Sequence, residues 1–219
     1  MSNDLTKEEI NRKLLHVFAL VLPLGIFYGP SFYGVDRLWA CTLTLALTCF
    51  SIFVEFARLQ KGSFGKWFLH FFGLLLRKEE KSQVTGATYL MGASAICSII
   101  SLHSEAAAVA AFLGLTFFIL GDAAAALVGK AIGRVKIRGK TLEGSMGCFL
   151  VCVMIGFFLF PVMPGFQNSW GGELTLVQLL ILSFTVSLLE LVPIKLFGVT
   201  FNDNLYVPAA TAVVALCVR

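Results

Sequence analysis

A polar stretch of the chain, residues 121–145, interleaves a carboxylate with cations and glycines. Asp122 opens it and Glu143 lies near its end; between them are the cations Lys130, Arg134, Lys136, Arg138 and Lys140 and the glycines Gly129, Gly133, Gly139 and Gly144. Glycines let backbone amides approach an anion, and cations neutralise phosphate charge. A nearby carboxylate can hold magnesium together with substrate phosphates. The pattern is typical of a nucleotide polyphosphate site, although a cytoplasmic loop with turn glycines has the same composition.

The composition indicates that these residues belong to a membrane protein. Of 219 residues, 58% are hydrophobic and only 14% are charged, against roughly 25% charged in a soluble domain. The net charge of +4 is modest, so we expect no nucleic-acid partner. The six cysteines form no Cys-x-x-Cys pair, and no signal peptide is expected. We predict one membrane domain covering residues 1–219.

Seven apolar runs divide the chain, and a membrane crossing takes about 20 such residues. The runs cover residues 14–29, 38–56, 85–102, 106–129, 145–160, 174–191 and 201–218. Because only helices satisfy their own backbone in lipid, we predict an all-α, polytopic protein with about seven transmembrane helices. The aromatic stretch at 64–76 is too short to cross and predicts an interfacial helix.

The basic residues predict the orientation of these helices. Lys and Arg number three in residues 1–13, six in 58–81, five in 130–140 and one at 195, which makes fifteen on one side. Two, Arg37 and Arg219, fall on the other side. The positive-inside rule therefore predicts a cytoplasmic N-terminus and places the polar clusters at the cytoplasmic face.

Two further carboxylates lie at that face. Glu190 closes one apolar run, and Asp203 stands between Asn202 and Asn204 at the start of the next. Ionisable groups at membrane depth are costly and usually mark function, although asparagine and aspartate also cap helices. His16 follows Arg12 and Lys13 in what we interpret as an anion-facing cluster.

An ordered set of motifs resembles the CTP-dependent lipid-alcohol kinases, a family that includes dolichol kinase, phytol kinase and the yeast-type diacylglycerol kinase. The set covers nearly the whole chain. It comprises Arg12-Lys13-x-x-His16, Glu55-x-x-Arg58, Arg77-Lys78-x-Glu80, Thr85-Gly86-Ala87, Gly121-Asp122-Ala123-Ala124-Ala125, Gly129-Lys130, Gly133-Arg134, Lys140, Glu143-Gly144-Ser145, Glu190 and Asp203-Asn204-Leu205.

The resemblance implies transfer of phosphate from CTP, with a divalent cation such as magnesium, to a polyprenol, a phytol-like alcohol or diacylglycerol at the membrane. We expect Asp122 to hold the cation, with Glu143 or Glu190 assisting, and Asp203 to accept the proton of the alcohol. Asp122 and Asp203 could exchange these roles. The expected nucleotide-binding residues are Lys130, Arg134, Lys136, Lys140, Gly129, Gly133, Gly144, Asn204, Arg12, Lys13 and His16.

Two other functions stay open at this point. A phosphatidate cytidylyltransferase has a comparable central segment, but its C-terminal Pro-Gly-His-Gly-Gly pattern is missing and Asn202-Asp203-Asn204 stands in its place. A small transporter usually has its polar site near the midplane, often between repeats. Here the charges gather at one membrane edge and no repeat is visible. The sequence does not indicate an oligomeric state.

Overall fold

The computed structural model describes residues 16–60, 62–196 and 199–219. These residues are mostly helical. A helical turn at 16–18 leads into α1 (Val21–Tyr33), followed by α2 (Arg37–Leu59) and the short α3 (Ser63–Phe72). Next come α4 (Gly86–Ser101) and the long α5 (Glu105–Ile132). Each of the seven apolar runs predicted from the sequence overlaps one helix, although the ends of several helices lie outside the runs.

In the second half of the chain, the described residues form four more α-helices. α6 (Leu142–Met154) continues through a π-helical turn (Ile155–Leu159) and a 3-10 turn (Phe160–Val162). The short α7 (Phe166–Trp170), α8 (Leu176–Leu191) and α9 (Asp203–Val218) complete the order. Two antiparallel hairpins interrupt it, β1 (Lys136–Ile137) with β2 (Lys140–Thr141) and β3 (Lys195–Leu196) with β4 (Val199–Thr200).

Among the described residues, four helical segments are long and apolar enough to cross a membrane: His16–Tyr33, Arg37–Leu59, Glu105–Ile132 and Leu142–Val162. The apolar helices α4, α8 and α9 are shorter, with 16 residues each. At 1.5 Å per residue each is about 24 Å long. Length and composition thus make the chain a helical protein of the membrane-spanning type. The helix expected at 64–76 occurs as α3, which ends four residues earlier.

Helix α5 is the centre of the fold, because it packs against α6, α9, α4 and α1. Its first half is almost entirely buried, and Phe112, Phe117 and Phe118 join the apolar core. Small residues allow this close packing. A Cβ atom at Gly114 would lie 2.4 Å from the carbonyl oxygen of Pro208 in α9. The second half of α5, which carries Asp122 and Lys130, therefore extends from a closely packed core.

Polar contacts mark the two ends of the helix bundle. At one end, Arg37 at the start of α2 pairs with Glu105 at the start of α5. At the same end, Nε of Arg219, which follows α9, donates to the carbonyl of Trp170 at 2.7 Å. The end of α2 and the starts of α4, α6 and α9 meet at the other end, together with the hairpin β1–β2.

Candidate active site

Lys140 is the centre of a charged cluster built from three separate elements. Its Nζ donates to Oε1 of Glu190 at 2.6 Å and to Oδ2 of Asp203 at 2.6 Å. Lys140 lies on β2, Glu190 at the end of α8, and Asp203 at the first position of α9. Lys140 thus contacts two residues that follow it by 50 and 63 positions in the sequence, and the three meet at one end of the bundle.

The surroundings of Lys140 keep it charged. Burial lowers the pKa of its ammonium, but the carboxylates of Asp203 and Glu190 outweigh this effect, and the net pKa lies above the ordinary value of lysine. Lys140 is therefore protonated throughout the physiological pH range. Glu190 is only 5% exposed, and a carboxylate so far from water needs this partner.

A tight turn directly before Lys140 positions it within the cluster. The two residues before it, Arg138 and Gly139, both have positive φ angles, of 50° and 95°. A two-residue hairpin turn with this geometry matches the twist of the paired strands. Glycine adopts such a conformation without strain, so Gly139 serves the turn and also lines the cavity described next.

The cluster lines a cavity of about 250 Å³, called here the polar cavity. Its ionisable lining residues are Arg77, Asp122, Lys130, Lys140, Glu190 and Asp203. Gly129, Gly139 and Gly144 add stretches of wall without side chains. Seven residues expected from the sequence to form the site thus meet around one space: Asp122, Lys130, Lys140, Glu190, Asp203, Gly129 and Gly144.

The glycines at this wall also bring two helices together. A Cβ atom at Gly129 in α5 would lie 2.5 Å from Oγ1 of Thr141, and one at Gly144 in α6 would lie 2.6 Å from the carbonyl oxygen of Ala125. Gly133, also expected at the phosphates, does not line the cavity, and its Cβ would lie 2.7 Å from Cγ2 of Thr141. The close approach of the end of α5 to β2 therefore accounts for a glycine at position 133 without a role in the site.

A second cavity, of about 290 Å³, adjoins the first and is called the apolar cavity. Its hydrocarbon lining is Ala19, Phe68, Phe72, Leu75, Leu76, Ala87 and Leu90. Its polar lining is His16, Arg77, Glu80, Thr85, Gly86, Asp122 and Asn204. Asp122 and Arg77 line both cavities. These two residues therefore mark a shared wall.

His16 and Asp122 form a pair at this wall. Nε2 of His16 lies 3.4 Å from Oδ2 of Asp122. The sequence suggested His16 as part of an anion-binding cluster, and the structure places it in the apolar cavity. Arg12 and Lys13, predicted beside it, lie outside the described residues.

Other predicted residues are found away from the polar cavity. Arg134 and Lys136 are exposed around the hairpin and do not line it. Asn204 lines the apolar cavity, where its Nδ2 donates to the carbonyl of Gly86 at 2.9 Å.

Glu143 also lies apart from the other carboxylates. Both of its carboxylate oxygens accept the backbone N–H of Val135, at 3.2 Å each, and it does not line the polar cavity. The residues present therefore do not fit a magnesium site formed by Asp122 and Glu143. Within residues 16–60, 62–196 and 199–219, no group of three or more His, Cys, Asp or Glu side chains could hold a metal ion.

A buried clamp holds the segment that supplies Arg77. Arg58, 3% exposed, pairs with Glu55 and donates to the carbonyls of Glu80 at 2.9 Å and Gln83 at 2.7 Å. Oε1 of Glu55 accepts the hydroxyl of Thr85 at 2.6 Å and its backbone N–H at 3.1 Å. The segment 77–86 is thereby fixed to α2.

Glu80 completes the clamp from within the segment. Its two carboxylate oxygens accept the backbone N–H groups of Arg77 and Gly86, each at 2.8 Å. Arg77, Glu80, Glu55 and Arg58 belong to the family motifs of the sequence but are not among the predicted site residues. The segment 77–86 lies against the cavity because these long-range contacts hold it to α2.

The chain is similar to two proteins that are both described as uncharacterized. No protein-family model and no solved structure matches the chain. An uncharacterized protein of Rickettsia prowazekii (strain Madrid E) is 24% identical over 165 residues, or 74% of this chain and 75% of that protein. An uncharacterized protein of Methanocaldococcus jannaschii is 32% identical over 141 residues, or 64% of this chain and 62% of that protein. The chemistry of the site is therefore inferred from its geometry.

Proposed function

We propose that the protein transfers a phosphoryl group from a nucleoside triphosphate, with CTP as the donor, to the hydroxyl of a membrane lipid alcohol. One observation carries this proposal: Asp122 and Arg77 line both the polar and the apolar cavity. A charged space suited to phosphates thus adjoins a hydrocarbon-lined space suited to lipid. The resemblance to the CTP-dependent lipid-alcohol kinases supports the choice of donor.

The polar cavity is the proposed donor site. Lys130, Lys140 and Arg77 supply positive charge, and ammonium and guanidinium groups bind phosphate oxygens through charge-assisted hydrogen bonds. The carboxylates Asp122, Glu190 and Asp203 balance these three cations formally. A triphosphate therefore needs further positive charge, and we expect it to enter as its magnesium complex, since metal ions neutralise phosphate charge in such reactions.

The reaction joins the two cavities in one step. The hydroxyl oxygen of the alcohol attacks the γ-phosphorus, and the bond from that phosphorus to the β,γ-bridging oxygen breaks. CDP leaves, and the hydroxyl proton passes to a carboxylate. Asp203 was the base expected from the sequence, but it lines only the polar cavity. Asp122, at the shared wall, is the better-placed proton acceptor.

The membrane arrangement is part of the same proposal. We assign seven crossings, made by α1, α2, α4, α5, α6, α8 and α9, with the N-terminus in the cytoplasm. The fifteen-to-two distribution of basic residues supports this orientation. It puts the polar cavity at the cytoplasmic edge, where a soluble nucleotide meets a lipid hydroxyl. The 16-residue helices are shorter than the roughly 30 Å hydrocarbon core and would require local thinning of the bilayer.

The decisive experiment identifies the product pair. Purified protein in lipid nanodiscs is incubated with magnesium, radiolabelled CTP and a panel of lipid alcohols, with phosphatidate in a parallel reaction. A kinase releases CDP and a lipid monophosphate. Release of pyrophosphate with phosphatidate as the acceptor, and no phosphorylated alcohol, would show a cytidylyltransferase and refute the proposal.

A further inference from the structure

We infer that Arg77 is a catalytic residue whose guanidinium binds the γ-phosphoryl group of the nucleotide. This role rests on the proposed function, since it concerns the group that the reaction transfers. It also orients the nucleotide, with its γ-phosphate at the shared wall and its other phosphates toward Lys130 and Lys140.

The position of Arg77 distinguishes it from the other cations of the site. Among the described residues, the polar cavity has Arg77, Lys130 and Lys140 as cationic lining residues, and of these only Arg77 also lines the apolar cavity. A phosphoryl group that passes directly from donor to acceptor must lie where the two substrates meet. The γ-phosphate therefore lies beside Arg77.

The guanidinium of Arg77 has no competing partner within the residues that the structure describes. It makes no hydrogen bond and no ion pair with any of them, and the residue is exposed. Lys140, by contrast, already donates to Glu190 and Asp203, at 2.6 Å each. The side-chain donors of Arg77 thus remain for phosphate oxygens, which a guanidinium can bind in pairs.

Contacts of Glu80 hold the backbone of Arg77 in place. The N–H of Arg77 donates to Oε2 of Glu80 at 2.8 Å, and Oε1 of Glu80 accepts the N–H of Gly86, the first residue of α4, at 2.8 Å. The carbonyl of Glu80 accepts Nη1 of the buried Arg58 at 2.9 Å. Donors that are in position before a reaction stabilise developing charge without reorganisation. Glu80 is therefore a positioning residue for Arg77.

Arg77 forms and breaks no covalent bond in this role. The hydroxyl oxygen of the alcohol bonds to the γ-phosphorus, and CDP leaves with the electron pair of the broken bond. The hydroxyl proton passes to Asp122. Throughout this step the guanidinium donates to non-bridging oxygens of the γ-phosphoryl group and keeps its own protons, because arginine stays charged in proteins.

Nucleotide binding tests this role without turnover. The magnesium complexes of CTP and CDP are titrated into the protein in phosphatidylcholine nanodiscs without an alcohol. Arg77→Met should raise Kd for CTP about tenfold and leave Kd for CDP within about twofold, because it removes charge-assisted hydrogen bonds to the γ-phosphate alone. Lys78→Met is the matched control, since Lys78 is exposed and lines neither cavity. It should leave the ratio of the two Kd values unchanged. An unchanged ratio in Arg77→Met would overturn the role.

Turnover shows whether Arg77 also acts during transfer. In the product assay, Arg77→Met should lower kcat at least about a hundredfold, as the loss of one donor to a developing charge does in other enzymes. Arg77→Lys should regain part of kcat, because it keeps the charge but not the paired donors. Equal kcat values for Arg77→Met and Lys78→Met would overturn the catalytic role while the kinase function stands. If the wild type phosphorylates no alcohol but Arg77→Met selectively weakens CTP binding, the proposed function fails and Arg77 remains the γ-phosphate ligand.

A double-mutant cycle tests the positioning role of Glu80. The amide oxygen of Glu80→Gln can accept hydrogen bonds but its amide nitrogen cannot, so this substitution should reduce the preference for CTP over CDP. In the Arg77→Met background it should leave the ratio of the Kd values unchanged, because no guanidinium is left to position. Equal effects of Glu80→Gln in the two backgrounds would overturn the positioning role.

Discussion

The ammonium of Lys140 lies 2.6 Å from Oε1 of Glu190, although the two residues are 50 positions apart in sequence. The pair ties the hairpin β1–β2 to the end of α8. Because Glu190 is 5% exposed, its charge depends on this contact and not on water. The consequences of removing either partner follow from that burial.

Replacement of Lys140 by Met should lower the free energy of unfolding by about 1–3 kcal/mol, since a buried acceptor loses its partner. Thermal unfolding in detergent measures the change. Lys136→Met is the matched control, because Lys136 is exposed on the same hairpin. Adding Glu190→Gln to Lys140→Met should restore part of the loss by removing the buried charge. Equal stability of Lys140→Met and Lys136→Met would contradict the conclusion that Glu190 depends on Lys140.

Asp122→Asn should reduce turnover of the proposed reaction at least about a hundredfold while the protein still folds, since an amide cannot accept the proton. Glu143→Gln should stay within about twofold of the wild type, because an amide oxygen can still accept the N–H of Val135. The same product assay measures both. Equal losses of turnover in the two variants would favour the magnesium site of Asp122 and Glu143 expected from the sequence. They would contradict the conclusion that Asp122 acts in the reaction and Glu143 does not.

Arg58→Met should destabilise the protein by about 3–5 kcal/mol, because it leaves Glu55 buried without its cation. It should also loosen the segment 77–86, so trypsin should cleave after Arg77, Lys78 and Lys81 faster than in the wild type. Lys66→Met, on the exposed side of α3, is the control. Unchanged cleavage in Arg58→Met would show that other contacts hold the segment.

The proposed topology predicts labelling from opposite sides of the membrane. Lys136 and Asn168 are both exposed, one on the hairpin β1–β2 and the other on α7. Cysteines introduced at these positions should react with an impermeant reagent from the cytoplasmic and the external side, respectively. Labelling of both from one side would require a different number of crossings, and α3 would be the first segment to reconsider.

The positions of the helices could be predicted from hydropathy, because every long apolar run has one favourable conformation in lipid. Asp122, Glu190 and Asp203 could be selected because ionisable residues are rare in such runs, and Lys140 because it belongs to a basic stretch interleaved with glycines. Which of them touch could not be predicted, since the contacts of Lys140 depend on how α8 and α9 pack. The placement of Glu143 shows the same limit, because proximity in sequence to the basic residues gave no information on its bond to Val135.

The role of Arg77 could not be predicted for a related reason. Arg77 opens a run of charged residues, 77–81, whose composition is typical of a solvated loop. Its place in the cavity wall depends on Arg58 and Glu55, about twenty residues earlier, which fix the segment through buried hydrogen bonds. Local sequence carries little information on contacts of that range.

The shared wall between the two cavities has a stereochemical consequence. If donor and acceptor lie on either side of Asp122 and Arg77, the phosphoryl group moves directly between them and no phosphorylated enzyme is formed. Both substrates must then be bound together, so the kinetics are sequential and not ping-pong. A single in-line displacement inverts the configuration at phosphorus, and a donor made chiral with oxygen isotopes would yield a lipid phosphate of the opposite hand.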